Sequence, residues 1–167
     1  MLLLKKNASK NNHEEYNIFV NCAKNSELLE NVKKQIRDLG VCCESFTGDI
    51  SDYNTAMEMF DEVHRHFGNV DILVNNAGLI KRNDAIDFTE DEWDSVIQVN
   101  QKMVFFLSQA FAKQYIKQGH GGKIININSM LSYQGGIRVP SYTASKSAGM
   151  GLTKAMCNEW HAITLML

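Results

Sequence analysis

The sequence predicts an α/β domain built as a doubly wound parallel sheet, on three observations. Short apolar runs alternate with stretches of helical period, several of those stretches are bounded by a capping residue or a glycine, and the apolar runs lack the polar alternation of a half-solvated strand. With 167 residues, 44% hydrophobic and 22% charged, the chain has enough apolar surface for one core and suits a single domain.

Each element follows from its local pattern. Tyr16 to Asn21 reads as a strand, Ser26 to Asp38 as a helix closed by Gly40, and Val41 to Thr47 as a second strand. Asp52 to Phe67 is a helix with Met57, Phe60, Val63 and Phe67 on one face, stopped by Gly68, and Val70 to Asn75 is the next strand. Thr89 opens a helix with Asp91 and Glu92 in its first turn, where negative charge suits the unpaired N–H groups, and the run continues to about Gln118. Lys123 to Ser129 is a buried strand, Pro140 falls in a loop, and Ser141 to about His161 is a helix. The polar opening makes residues 1–15 a disordered leader, 16–161 the domain and 162–167 a divergent tail.

Composition excludes several function classes. A formal net charge of −2 supplies no basic field for a nucleic-acid backbone. The longest apolar stretches, such as Ile72 to Val74 and Met103 to Leu107, fall far short of the roughly 20 residues of a membrane span. No secretory signal is legible at the start, so the cytoplasm is the expected compartment. Cys22, Cys42, Cys43 and Cys157 have no metal-binding spacing and read as free, mostly buried thiols, Cys42 and Cys43 pointing to opposite faces of a strand. His64 and His66 would lie about 200° apart on a helix, so no metal is expected.

The chemistry-bearing residues gather at the carboxyl ends of the predicted strands, where doubly wound sheets bind ligands. Tyr142 and Lys146 share a helix face one turn apart. An ordinary tyrosine, with a pKa of about 10, is a weak base at neutral pH, and a neighbouring ammonium favours the phenolate. Ser129 ends the strand that begins at Lys123, and Asn75-Asn76-Ala77-Gly78 ends another.

In their order and spacing, Ser129, Tyr142 and Lys146, with Asn100, Asn76-Ala77-Gly78 and the Asp49-Ile50-Ser51 turn, resemble the short-chain dehydrogenase/reductase family. The resemblance implies a Rossmann-like fold and a nicotinamide cofactor, NAD with NADP possible, that exchanges hydride with the substrate. It implies that Tyr142 is the general acid/base, that Lys146 lowers its pKa and bonds the nicotinamide ribose, and that Ser129 holds the reacting oxygen. Asn100 would position a proton-relaying water, Asp49 with Ile50 would meet the adenine, and Asn76, Ala77 and Gly78 would line the cofactor. The stretches Gly122 to Asn158 and Asn75 to Asp84 resemble members acting on keto sugar acids. Such a substrate needs a donor for its carboxylate, and Arg138, with Arg82 second, is the candidate. Lys24 is placed to meet a 2′-phosphate. A homo-oligomer is expected of the full-length family.

Two departures from the family pattern shape the expectations. The resemblance runs from about Tyr16 to Trp160 and omits the opening strand with its T-G-x-x-x-G-x-G turn; the first glycine is Gly40. That strand belongs in the middle of the sheet, so its loss would leave two unpaired edges, and Met1 to Leu4 is too short to replace it. The tail after Trp160 does not continue into the family's next strand, so the chain is expected to be a truncated middle section. Two other readings stand beside the enzyme: a non-catalytic remnant packing through the helices at 90–118 and 141–160, or a family member acting on gluconate or 3-oxoacyl groups.

Overall fold

The computed structural model describes residues 2–6, 16–24, 27–119, 121–160 and 165–166. Six strands form one sheet: β1 (Leu2–Lys6), β2 (Tyr16–Cys22), β3 (Cys43–Thr47), β4 (Ile72–Asn75), β5 (Gly122–Asn126) and β6 (Leu165–Met166), in the spatial order β3-β2-β1-β4-β5-β6. The helices are α1 (Glu27–Asp38), α2 (Tyr53–Phe67), α3 (Glu90–Ile97), α4 (Met103–Gln118), α5 (Leu131–Gln134) and α6 (Pro140–Trp160). The doubly wound, Rossmann-like architecture is therefore present. β2 with β3, β4 with β5 and β5 with β6 pair in parallel, as strand-helix-strand connections require.

The centre of the sheet differs from expectation. No gap separates β2 from β4, because Leu2–Lys6 fills it, pairing antiparallel with both neighbours. Leu2 lies opposite Val20 and Val74, and Leu4 opposite Ile18 and Ile72. Five residues suffice because all five pair with β2 and Leu2 to Leu4 pair with β4 as well, and because Leu3 enters the core with 0% exposure beside Phe19 and Leu73. The expected leader over 1–15 is thus a strand at residues 2–6, and residues 7–15 lie outside the described part. At the other end, Leu165 and Met166 pair with Gly122 and Lys123, so the tail supplies a short further strand where none was expected.

The main core lies on one face of the sheet. Leu3, Phe19, Leu73 and Ile124 pack there against Ala56, Met59 and Val63 of α2 and Met103, Leu107 and Phe111 of α4. Cys43, of the opposite parity to Phe19, is buried near α1, whose Leu29 is its buried residue, and burial pushes this thiol up. Beyond α1 the second face is thinly covered, and Ile125 and Ile127 stay 43% and 42% exposed. All four cysteines are free, but only Cys43 is buried; Cys22 is half-buried and Cys42 and Cys157 are exposed. Among the described residues no cluster of potential ligands could hold a metal, and no helix is long and apolar enough to cross a membrane.

Capping chemistry accounts for the helix boundaries. Asp52 accepts from Thr55 N at 2.8 Å to start α2, and Thr89 and Glu92 form a reciprocal capping box at α3. Pro140 is not in a loop but is the first residue of α6, a position where its missing N–H leaves nothing unsatisfied. The run from α3 to α4 contains a π-helical turn, Gln98–Lys102, with Asn100 in it.

Candidate active site

β4 and β5 carry the site at their carboxyl ends. Asn75 is 4% exposed; its Nδ2 donates to Asn126 Oδ1 at 2.8 Å and to Ser108 Oγ at 3.1 Å, while Asn126 Nδ2 donates to Thr153 Oγ1 at 2.9 Å. This polar bridge joins α4, β4, β5 and α6 through the amide N–H groups of Asn75 and Asn126, while Asn75 Oδ1 is buried without a hydrogen-bond partner. Its signal in the sequence is asparagine recurring at the ends of apolar strands, Asn75 after Ile72 to Val74 and Asn126 after Ile124 and Ile125.

Beyond β4 the chain is held open by Asn100. Its Oδ1 accepts from Leu79 N at 2.7 Å, and its Nδ2 donates to Leu79 O at 2.8 Å and to Ser145 Oγ at 3.1 Å. Ser145 Oγ in turn donates to Tyr142 O at 2.9 Å. The π turn brings a 2% exposed amide inward at this point of a long helix, and the amide is almost fully used in clamping Leu79 and α6. A Cβ placed on Gly78 would lie 3.6 Å from Asn100 Oδ1 and 3.8 Å from Lys146 Nζ. Gly78 therefore lies in ordinary contact distance of both groups, and its backbone borders the space between them.

Tyr142 and Lys146 come together as their spacing predicts, with Lys146 Nζ 5.8 Å from the Tyr142 ring centroid. Lys146 is 6% exposed, donates to Ile127 O at 2.6 Å, and is held below the ordinary lysine range by burial. Because its folded pKa is depressed, the unfolded chain binds more protons between that value and 10.5. Stability relative to a Lys146→Met variant is therefore expected to rise with pH through this alkaline window. Urea midpoints of the two proteins across that range check it, and a constant difference would mean that the ammonium is not desolvated.

The strand expected to end at Ser129 ends at Asn126, leaving Ser129 half-buried at the entry to α5, where its Oγ accepts from Leu131 N at 3.2 Å. Accepting that bond leaves the hydroxyl proton free to donate. No direct bond between Ser129 and Tyr142 occurs among the described residues. Arg138 sits at φ 63°, unusual for a residue with a Cβ; its Nε pairs with Asp84 Oδ1 at 2.9 Å and its carbonyl accepts from Asn83 N at 3.1 Å. Two loops are tied together there, and Arg82 is exposed beside them.

Two hollows meet at Gly78 and Leu79. The larger, about 560 Å³, is lined by Asn21, Ala23, Asp49, Ile50 and Ala77 among others. The smaller, about 260 Å³, is lined by Asn76, Ile127, Asn128, Tyr142 and Lys146 with Gly78 and Leu79. Asp49 Oδ1 accepts from Ser51 N at 2.9 Å, which fixes the turn at the rim of the larger hollow. Two compartments sharing a wall fit the two nucleoside ends of a dinucleotide. The middle does not fit: the reversed β1 puts no strand-to-helix turn between them to receive a pyrophosphate.

Comparison with known proteins agrees with this geometry. The short chain dehydrogenase family profile matches residues 5–166, a wider span than the motifs alone indicated. A 2-dehydro-3-deoxy-D-gluconate 5-dehydrogenase of Dickeya dadantii (strain 3937) is 62% identical over 116 residues, 70% of this chain and 46% of that protein. The enzyme of the same name from Escherichia coli (strain K12) is 53% identical over 141 residues, 84% of this chain and 54% of that protein. The crystal structure of a gluconate 5-dehydrogenase from Burkholderia cenocepacia J2315 in complex with NADP and tartrate superposes with a TM-score of 0.79 at 34% identity, covering 88% of this chain and 57% of that one. The chain thus spans about half the length of the curated relatives it matches. With the family profile matching residues 5–166, nearly the whole of this chain, the chain belongs to the short chain dehydrogenase family.

Proposed function

We propose that this chain carries the catalytic segment of a cytoplasmic, nicotinamide-dependent oxidoreductase acting on a keto or hydroxy sugar acid such as 2-dehydro-3-deoxy-D-gluconate. The observation that carries the reading is the pairing of Tyr142 with buried Lys146 on one hollow at the carboxyl edge of the sheet. A bound nicotinamide dinucleotide, NAD(H) or NADP(H), supplies or accepts the hydride at the carbon bearing the reacting oxygen. In this reading Tyr142 exchanges the proton with that oxygen and Ser129 donates a hydrogen bond to it. Lys146 places positive charge beside the phenol and takes a ribose hydroxyl. Asn100 serves chiefly by position, holding Leu79 and α6 around Lys146, with a relay water between Asn100 and Lys146 as part of the same reading.

Asp49 and Ile50 then receive the adenine, and Asn76, Ala77 and Gly78 line the cofactor's path between the hollows. Arg138, steadied by Asp84, offers its terminal guanidinium nitrogens to the substrate carboxylate. Lys24, exposed just beyond β2, is the side chain in reach of a 2′-phosphate. A second reading, packing onto another family chain or a second copy, draws on the groove between α4 and α6, where Phe105, Ile116, Leu152, Met156 and Trp160 meet.

The test is loss of reduced-nicotinamide absorbance with the purified chain. Substrate-dependent oxidation is expected with a keto sugar acid and not with a 3-oxoacyl thioester. Turnover of the thioester alone would transfer the assignment to 3-oxoacyl reduction, and no turnover of either would overturn the enzyme reading.

A further inference from the structure

The π-helical turn Gln98–Lys102 lines the larger hollow through Gln98 and Val99, and side chains reach out of it on two sides. It is closed by Met103 N donating to Gln98 O, five residues apart. Even on a regular helix, residues two apart point about 200° away from each other. Asn100 accordingly reaches Leu79 and Ser145 of α6. Gln98 reaches the other way, and its Nε2 donates at 2.6 Å to Ser51 O, 47 residues back in the chain.

The turn that Gln98 grips is the anchored partner. Asp49 Oδ1 accepts from Ser51 N at 2.9 Å, and Asp52, next in the chain, caps α2 through Thr55 N at 2.8 Å. Ahead of it, Gly48 N donates to Cys22 O at 3.0 Å, and Gly48 O accepts from Asn21 Nδ2 at 3.0 Å. A Cβ on Gly48 would meet Thr55 Cγ2 at 2.8 Å, so the backbone there is seated directly against α2, whose Ala56, Met59 and Val63 lie in the core. The π turn has the weaker claim to its own shape, being a rare departure from α geometry. Gln98 holds it from one side and Asn100 from the other. What Asn100 holds matters for the site: Leu79 borders both hollows, and Ser145 Oγ donates to Tyr142 O at 2.9 Å.

We propose that Gln98 is a positioning residue that couples the two hollows. Its bond to the Ser51 carbonyl places the π turn, and the π turn, through Asn100, places Leu79 and the turn of α6 that carries Tyr142 and Lys146. The consequence for turnover rests on the dehydrogenase reading, whereas the consequence for the packing of the site does not.

Gln98→Met keeps the length of the side chain and removes the donor, and amide hydrogen exchange in the full chain reads the effect. The Leu79 amide, bonded to Asn100 Oδ1 at 2.7 Å, is expected to exchange about tenfold faster, the worth of one hydrogen bond. The Ile18 amide, bonded to Cys42 O at 2.8 Å, is expected to keep its wild-type rate. Equal acceleration at both amides would reduce Gln98 to a contributor to global stability, and an unchanged Leu79 rate would mean no coupling; either overturns the proposal. Gln98→Glu has the same shape with an acceptor in place of the donor at neutral pH, and is expected to lose at least as much protection at Leu79. Wild-type protection in that variant also overturns the proposal.

In turnover, Gln98→Met is expected to lower kcat about tenfold and to raise KM for the dinucleotide, because a small misplacement at a reacting centre costs up to about 10²-fold. A raised KM with wild-type kcat would confine Gln98 to the larger hollow and overturn the coupling. Absence of turnover in the wild-type chain as well would remove the dehydrogenase reading and leave the exchange rates to decide the proposal.

Discussion

Tyr142→Phe is expected to lower turnover by about 10²- to 10⁴-fold, the usual contribution of a positioned acid/base group. The variant loses one oxygen and keeps the ring, so the packing over Lys146 and the hydrogen bond from Ser145 to the residue-142 carbonyl remain. The loss should therefore fall on kcat, with KM and thermal stability nearly unchanged, because the missing proton transfer is made only as the reaction proceeds. Steady-state kinetics of the two proteins check this. A variant with wild-type kcat would remove Tyr142 from the chemistry, and a variant impaired only in KM would reduce it to a binding residue.

The second large effect concerns the reversed central strand. Leu3 faces the core between Phe19 and Leu73 with 0% exposure, whereas Leu4 lies on the thinly covered face opposite Ile18 and Ile72. Leu3→Ala is expected to cost roughly 2–5 kcal/mol, as truncation of a fully buried leucine does. Leu4→Ala, on a half-buried side chain, should cost about 1 kcal/mol. Denaturant midpoints of the two variants measure the contrast. A one-residue slip of β1 would exchange the two faces, so equal losses, or a larger loss for Leu4, would reject this register.

The Rossmann-like assignment and most element boundaries were legible because they depend on local patterns. Met57, Phe60, Val63 and Phe67 mark one face of α2, Asp52 and Thr89 cap helices, and Gly68 ends one. The Tyr142 and Lys146 pairing was legible for the same reason, since four residues on a helix fix a shared face. Pro140 was misplaced because proline signals both a loop and a first helical turn, and the start of α6 chose between them. The end of β5 was set by its neighbour: β4 stops at Asn75 opposite Asn126, so after Ile127 N donates to Asn75 O at 3.1 Å there is no further β4 residue for Asn128 and Ser129 to pair with. Such endings depend on partner strands and leave no mark in the segment itself.

By itself the sequence determined the fold class and the family, since each is written in short-range spacing and residue type. Tertiary structure alone decided how the middle of the sheet is completed. Leu-Leu-Leu-Lys-Lys carries no signal of orientation, and a five-residue apolar segment can pair in either sense. The direction taken by β1 was settled by the open edges of β2 and β4, which offered hydrogen-bonding partners on both sides and a core in which to bury Leu3. That direction is also what separates two well-formed hollows from the phosphate-binding turn that would ordinarily lie between them, because the turn requires a strand leaving the ligand edge as a helix and here the strand runs the other way.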